Sequence, residues 1–364
     1  MTAQSTKSDI PALQRIRDDV QSMHAYAVQD ARGLIKLDAM ENPYALPPML
    51  QEALGRRLGQ LAINRYPGDR GADLVRALAN HAGLPEGFSL MLGNGSDELI
   101  SLLAMACDLP GAAILAPVPG FVMYAMSAQL QGLRFVGVPL SADFELDEAA
   151  MLAAIEKENP AIVYLAYPNN PTANLWDDES IERIVMAQGR QGGLVVIDEA
   201  YQPFASKSYI ERMARHQHVL LMRTLSKFGL AGIRLGYLMG PQALIAEVDK
   251  VRPPYNVSVL NCETALFALE HADVFAEQAA AIRKERDVVE SALDRLGVQR
   301  WPSQANMVLI RVRDAGKTFE GMKERGVLIK NVSKMHPLLA NCLRLTVGTT
   351  DENRQMLAAL EQSL

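Results

Sequence analysis

Residues 194–201 read Leu194-Val195-Val196-Ile197-Asp198-Glu199-Ala200-Tyr201, an apolar and largely β-branched run that ends in two adjacent acids. A short run of this kind suits a strand buried on both faces, as in a parallel sheet covered by helices. A carboxylate at the end of such a strand is costly unless a cation meets it, and it can equally cap a following helix. Asp198 is therefore a candidate for chemistry and for a cap alike. Similar runs flank it on both sides: Leu90–Leu92, Ala113–Leu115, Arg134–Val138, Ile162–Ala166, Val219–Met222 and Leu235–Met239. Amphipathic stretches separate most of them. Leu99, Leu102, Leu103 and Ala106, for example, have the i, i+3, i+4, i+7 spacing of one helix face. This alternation predicts an α/β fold with a mainly parallel central sheet flanked by helices.

Beyond Arg252-Pro253-Pro254, which interrupts helix formation, the pattern changes. A long charged helix is predicted from Asp273 to Gly297, then strands at Met307–Val312, Val327–Lys330 and Cys342–Val347, making a smaller α+β domain. The expected organisation is an N-terminal arm (1–40) packing with the small domain, a large domain (41–252) and a small C-terminal domain (253–364). A chain of 364 residues exceeds the size at which one core stops growing, which fits two domains.

Composition narrows the function. The net charge of −6 argues against general affinity for nucleic acid or anionic membrane. No stretch has the apolar length of a membrane span or signal peptide. Cys107, Cys262 and Cys342 lie far apart, and the histidines lack zinc-ligand spacing, so no metal site or disulfide framework is expected. These features predict a cytoplasmic protein acting on small molecules.

Four turns, each just past a predicted strand, carry the candidate chemistry. Gly93-Asn94-Gly95-Ser96-Asp97-Glu98 opens a helix, where glycines and free amides favour an anion. Tyr167-Pro168-Asn169-Asn170-Pro171-Thr172 places a polar turn at a strand's carboxyl end, where open α/β sheets bind ligands. The acidic turn at 198–201 is the third. In Thr224-Leu225-Ser226-Lys227-Phe228-Gly229-Leu230-Ala231-Gly232-Ile233-Arg234, a lysine sits among small and apolar neighbours that ease loss of its proton. Each motif alone reads as an ordinary turn or cap; their joint order is the signal.

That order resembles the class I/II aminotransferases of pyridoxal-phosphate fold type I, over nearly the whole chain. Asp38-Ala39-Met40-Glu41-Asn42-Pro43-Tyr44, Asn64-Arg65-Tyr66-Pro67 and the run from Asn341 to Thr349 are similar to the histidinol-phosphate branch of that family. The resemblance implies pyridoxal 5′-phosphate held as a Schiff base on Lys227, which then serves as the proton-moving base. It implies Asp198 at the pyridine nitrogen, Asn170 and Tyr201 at the phenolic oxygen, and Phe121 stacked on the ring. Ser226, Arg234 and the amides of Ser96 and Asp97 would hold the cofactor phosphate, with Tyr66 reaching in from the partner of a homodimer. Arg344, Tyr26, Lys330 and Asn170 are the implied substrate contacts.

The implied reaction is amino transfer between L-histidinol phosphate and 2-oxoglutarate, yielding glutamate. The alternatives on the same scaffold are an aromatic amino-acid aminotransferase and a threonine-phosphate decarboxylase. Three positions depart from the family pattern. Ala173 stands where the turn usually ends in glycine, so a left-handed backbone there would be strained. Phe121 lacks a hydroxyl, and Lys227 and Arg234 are seven residues apart, one fewer than in several relatives.

Overall fold

The structure is a computed structural model that describes residues 10–23, 25 and 29–364. Two compact units divide at Arg32/Gly33. The first contains a 3-10 turn, Pro11–Arg15, and helix α1, Asp18–Ser22. Everything that follows concerns the second.

Its large sheet has seven strands in the order β2-β8-β7-β6-β5-β3-β4. Their ranges are β2 (Phe88–Gly93), β3 (Ala113–Val118), β4 (Arg134–Pro139), β5 (Ile162–Ala166), β6 (Leu194–Asp198), β7 (Val219–Thr224) and β8 (Gly236–Pro241); β1 (Ile35–Lys36) lies outside this sheet. The predicted runs are all present, most of them extended by one to three residues at an end. Every strand runs parallel to its neighbours except β8, which is antiparallel to both β2 and β7. The carboxyl ends of six strands consequently share one edge, and β8 begins there: Gly236 pairs with both Gly93 and Thr224.

Helices α2 (Pro48–Leu58), α3 (Arg70–Ala82), α4 (Gly95–Ala106), α5 (Val122–Gln131), α6 (Glu148–Glu158), α7 (Asp178–Arg190), α8 (Ile210–Met213) and α9 (Gln242–Asp249) intervene. Asp147 and Asp177 cap α6 and α7 by accepting from the amides of Ala150 and Ser180, as short acceptors before a helix do. On α4 the expected face is partly corrected. Leu99, Leu102 and Leu103 are buried with Ile100 and Ala104, whereas Ala106, at the helix end, is exposed. The four apolar residues of β6 join β5 and β7 in the interior, with Val195 and Ile197 facing one core cluster and Val196 the other.

After the prolines, α10 (Val259–Glu270) and α11 (Ala272–Arg295) lead into β9 (Gln299–Arg300), β10 (Met307–Arg311), α12 (Ala315–Glu324), β11 (Val327–Leu328), β12 (Lys330–Asn331), β13 (Cys342–Thr346) and α13 (Thr350–Glu361). The predicted single strand Val327–Lys330 is in fact two. β11 pairs in parallel with β1, while β12 joins the antiparallel sheet β12-β13-β10-β9. The chain changes partner at Ile329, a switch that apolar periodicity cannot reveal because both pieces are apolar or half-buried. Residues 37–41 are tied to this smaller sheet. Thr346 N donates to Leu37 O at 3.2 Å, Met40 N to Thr346 Oγ1 at 3.1 Å, and Asn306 Nδ2 to Met40 O at 3.0 Å.

Candidate active site

A cavity of about 380 Å³ opens at the carboxyl edge of the large sheet. It draws together the four turns singled out above. Ser96 and Asp97 follow β2, Phe121 follows β3, Asn170 follows β5, Asp198 and Tyr201 end β6, and Ser226, Lys227 and Arg234 link β7 to β8; all line the cavity. Ala39, Met40 and Glu41 close it from the segment anchored on the smaller sheet.

Lys227 donates from Nζ to Ala39 O at 2.9 Å. Withdrawal from water, followed by the nearby charge of Arg344, brings its amine down to about 8. A usable fraction is therefore free base near neutral pH. Asp198 is buried, with Oδ2 accepting from Tyr124 Oη at 2.7 Å and Oδ1 from Ala200 N at 3.0 Å. Burial pushes its carboxyl up to about 6; those two donors pull it down, and the charges of Asp97 and Glu199 add to the rise. Burial likewise raises the phenol of Tyr201, so it enters chemistry as a neutral hydroxyl.

The cradle for an anion is built by close approach. Arg234 donates from Nη1 to Ser226 Oγ at 3.3 Å and from Nη2 to Asp97 Oδ2 at 3.2 Å. A Cβ on Gly95, where φ is +77°, would lie 2.8 Å from Arg234 Nη2. One on Gly236 would lie 2.8 Å from Ser96 N. Glycine at both places lets a helix start, a guanidinium and a hydroxyl converge, as an anion requires. The seven-residue spacing thus suffices, because Arg234 itself turns left-handed, at φ 49°.

The turn after β5 keeps its shape without glycine. Ala173 takes φ 64° while fully buried, at a cost of roughly 1 kcal/mol. Asn169 Nδ2 donates to Pro119 O at 3.1 Å and to Thr172 Oγ1 at 2.8 Å, tying this turn to the one that carries Phe121. Asn170 Oδ1 accepts from Arg344 Nη1 at 2.8 Å, and Arg344 Nη2 donates to Asp38 O at 2.8 Å. Arg344, buried on β13, stands one contact behind the cavity wall.

Not all the predicted residues converge. Lys330 sits on β12 in register with Arg344 but does not line the cavity. Tyr66 is 74% exposed and stacks on Tyr255, with ring centroids 4.2 Å apart, away from the cavity. Tyr26 lies outside the described residues. Conversely, sequence reading missed Tyr124, in the first turn of α5, whose hydroxyl reaches Asp198. Glu41 and Thr224 are also on the wall. Among the described residues no His, Cys, Asp and Glu cluster of metal-binding type occurs, and no helix is long and apolar enough to cross a membrane.

A half-buried lysine and a buried aspartate facing one cavity, beside an Arg-Ser-amide cradle at a mainly parallel sheet edge, define a fold type I transferase. The family model for "Aminotransferase class I and II" matches residues 32–360, and the chain belongs to that family. Among its relatives, the histidinol-phosphate aminotransferase of Polaromonas naphthalenivorans is 70% identical over all of both chains. That of Methylibium petroleiphilum is 72% identical over 96% of this chain and 95% of its own. The solved histidinol-phosphate aminotransferase of Sinorhizobium meliloti, in complex with pyridoxal-5′-phosphate, superposes with a TM-score of 0.83 at 25% identity, covering 97% of this chain and 98% of that one.

Proposed function

We propose that the chain exchanges an amino group between L-histidinol phosphate and 2-oxoglutarate, in histidine biosynthesis, with pyridoxal 5′-phosphate held by Lys227. The observation that carries the substrate is the full-length identity of 70% to a histidinol-phosphate aminotransferase. The site's donors fit the cofactor: an amine that is readily freed of its proton, a buried carboxylate, and an anion cradle made by two glycine-dependent approaches.

Bound pyridoxal phosphate supplies an electron sink for negative charge at the substrate carbon. Lys227 holds and moves the proton at that carbon, which an amine near neutrality does well. Asp198 offers its carboxylate to a protonated ring nitrogen, and Asn170 and Tyr201 orient the ring oxygen. Ser226, Arg234 and the amides of Ser96 and Asp97 bind the phosphate dianion. Arg344, held by Asn170 and the carbonyl of Asp38 behind the wall, supplies the positive charge that draws an anionic substrate group into the cavity. Lys330 adds positive charge one strand away. Tyr66, exposed on one protomer, completes the site of the other in a cytoplasmic homodimer. In this reading residues 1–40 form an arm, 41–252 the cofactor domain and 253–364 the small domain.

The test adds histidinol phosphate, phenylalanine and threonine phosphate separately to the yellow purified protein. Rapid bleaching of the near-visible band by the first alone is expected. Bleaching by phenylalanine instead, or release of carbon dioxide from threonine phosphate, would replace this reading with the corresponding alternative.

A further inference from the structure

Tyr124 and Asp198 meet in the interior, where neither can turn to water. The phenol is 2% exposed and the carboxylate 4%. Tyr124 lies in the first turn of α5, three residues after Phe121, and both rings point to the cavity, edge to face at 5.7 Å. Behind it the ring of Tyr164 stacks at 4.3 Å, nearly parallel, which leaves Tyr124 no other place to go. The hydroxyl donates to Asp198 Oδ2 at 2.7 Å, and Ala200 N holds the other oxygen at 3.0 Å.

We infer that Tyr124 is a positioning residue for the proposed reaction: its hydroxyl keeps the Asp198 carboxylate anionic and aimed at the cofactor ring. This rests on the pyridoxal-phosphate reading above. The physical case is a competition. Burial and the like charges of Asp97 and Glu199 favour the protonated acid, whereas Tyr124 and the Ala200 amide favour the carboxylate. Tyr164 and Tyr201, also in the neighbourhood, are held neutral by burial. Tyr124 cannot itself give up the proton, because burial and Asp198 raise its phenol well above the usual range. The arrangement is therefore a fixed donor to a fixed acceptor. A tyrosine that merely satisfied its own buried hydroxyl would leave the acid's titration and its partner ring untouched.

Tyr124→Phe, Asp198→Asn and the double variant decide the matter. In the apoprotein the infrared carboxylic stretch of Asp198, identified by its loss in Asp198→Asn, reports the acid's titration directly. Removing the phenol should raise that midpoint by roughly one pH unit, the size of a hydrogen bond to a charged group. Pyridoxal phosphate should bind about tenfold more weakly to Tyr124→Phe, with no further loss on adding the change to Asp198→Asn. A 3-fluorotyrosine placed at position 124, nearly isosteric and a stronger donor, should lower the midpoint, and it decides the question even if the Phe variant does not fold. An unmoved midpoint, or the same loss of affinity in the Asp198→Asn background, overturns the inference. Failure of the wild-type protein to bind pyridoxal phosphate would instead sink the cofactor reading, while the infrared midpoint still reports on Tyr124.

Discussion

Asp198 and Glu199 are adjacent at the end of β6 and both almost wholly buried, at 4% and 1% exposure, yet they lead different lives. Successive side chains on an extended backbone point to opposite faces. Glu199 points away from the cavity and is met by a full charge. Its Oε2 accepts from Arg223 Nε at 2.9 Å and from Ser208 Oγ at 3.1 Å, while Oε1 accepts from the amide of Tyr209. Arg223 also reaches Ser208 Oγ at 3.0 Å, closing the network. Asp198 points into the cavity and has only a phenol and one amide. Two acids share a strand end; one is compensated and structural, the other under-compensated and available. The difference teaches that a buried charge marks a site where the fold leaves its compensation incomplete.

The strongest way to break the comparison is Asp198→Asn. Its expected effect is a loss of roughly 10²–10³ in the rate of amino transfer, comparable to removing one electrostatic stabiliser, with a melting temperature of the apoprotein unchanged or higher. A lowered melting temperature would mean that Asp198 is structural after all. Glu199→Gln should do the reverse. By leaving Arg223 buried without its counter-charge it should cost about 3–5 kcal/mol in urea unfolding, while molecules that remain folded keep most of their activity.

Solution pH sharpens the contrast further. Asp198 is raised from 3.8 to about 6, so the folded state holds that proton more tightly than the unfolded chain does. Apoprotein stability should thus fall as pH rises from about 4 to about 6, by roughly 1–3 kcal/mol, and Asp198→Asn should abolish that fall. Lys227 is lowered from 10.5 to about 8 and works in the opposite sense. Its burial cost is present below about 8 and relieved as pH rises towards 10.5, a gain that Lys227→Met should remove. Urea titrations across both windows check the two signs. Least of all should change in Ala173→Gly. Relief of roughly 1 kcal/mol of left-handed strain is offset by about 0.8 kcal/mol of lost methyl burial, so stability should move by under about 0.5 kcal/mol.

Much of this was legible in the chain. Strands β5 and β6 fall where their apolar runs lie, because buried parallel strands admit little else. Nine of the anticipated cofactor residues line one cavity, since each turn follows a strand and parallel strands end together. Less legible was β8, antiparallel within a parallel sheet, for a buried run reads the same in either direction. The split of Val327–Lys330 was hidden for a like reason. Tyr124 escaped because its partner lies 74 residues away, and nothing local distinguishes it from a core tyrosine.

By itself the sequence determined the class of fold, the order of the turns and the kinds of group each turn brings, because strand burial and turn chemistry are local matters of side-chain size, polarity and backbone freedom. Only the tertiary structure decided which of two neighbouring acids faces the cavity, that Arg344 stands behind Asn170, and that a phenol from α5 holds Asp198. Those are questions of distance and desolvation, and charges acquire their energies only once the fold has chosen which of them lose their water.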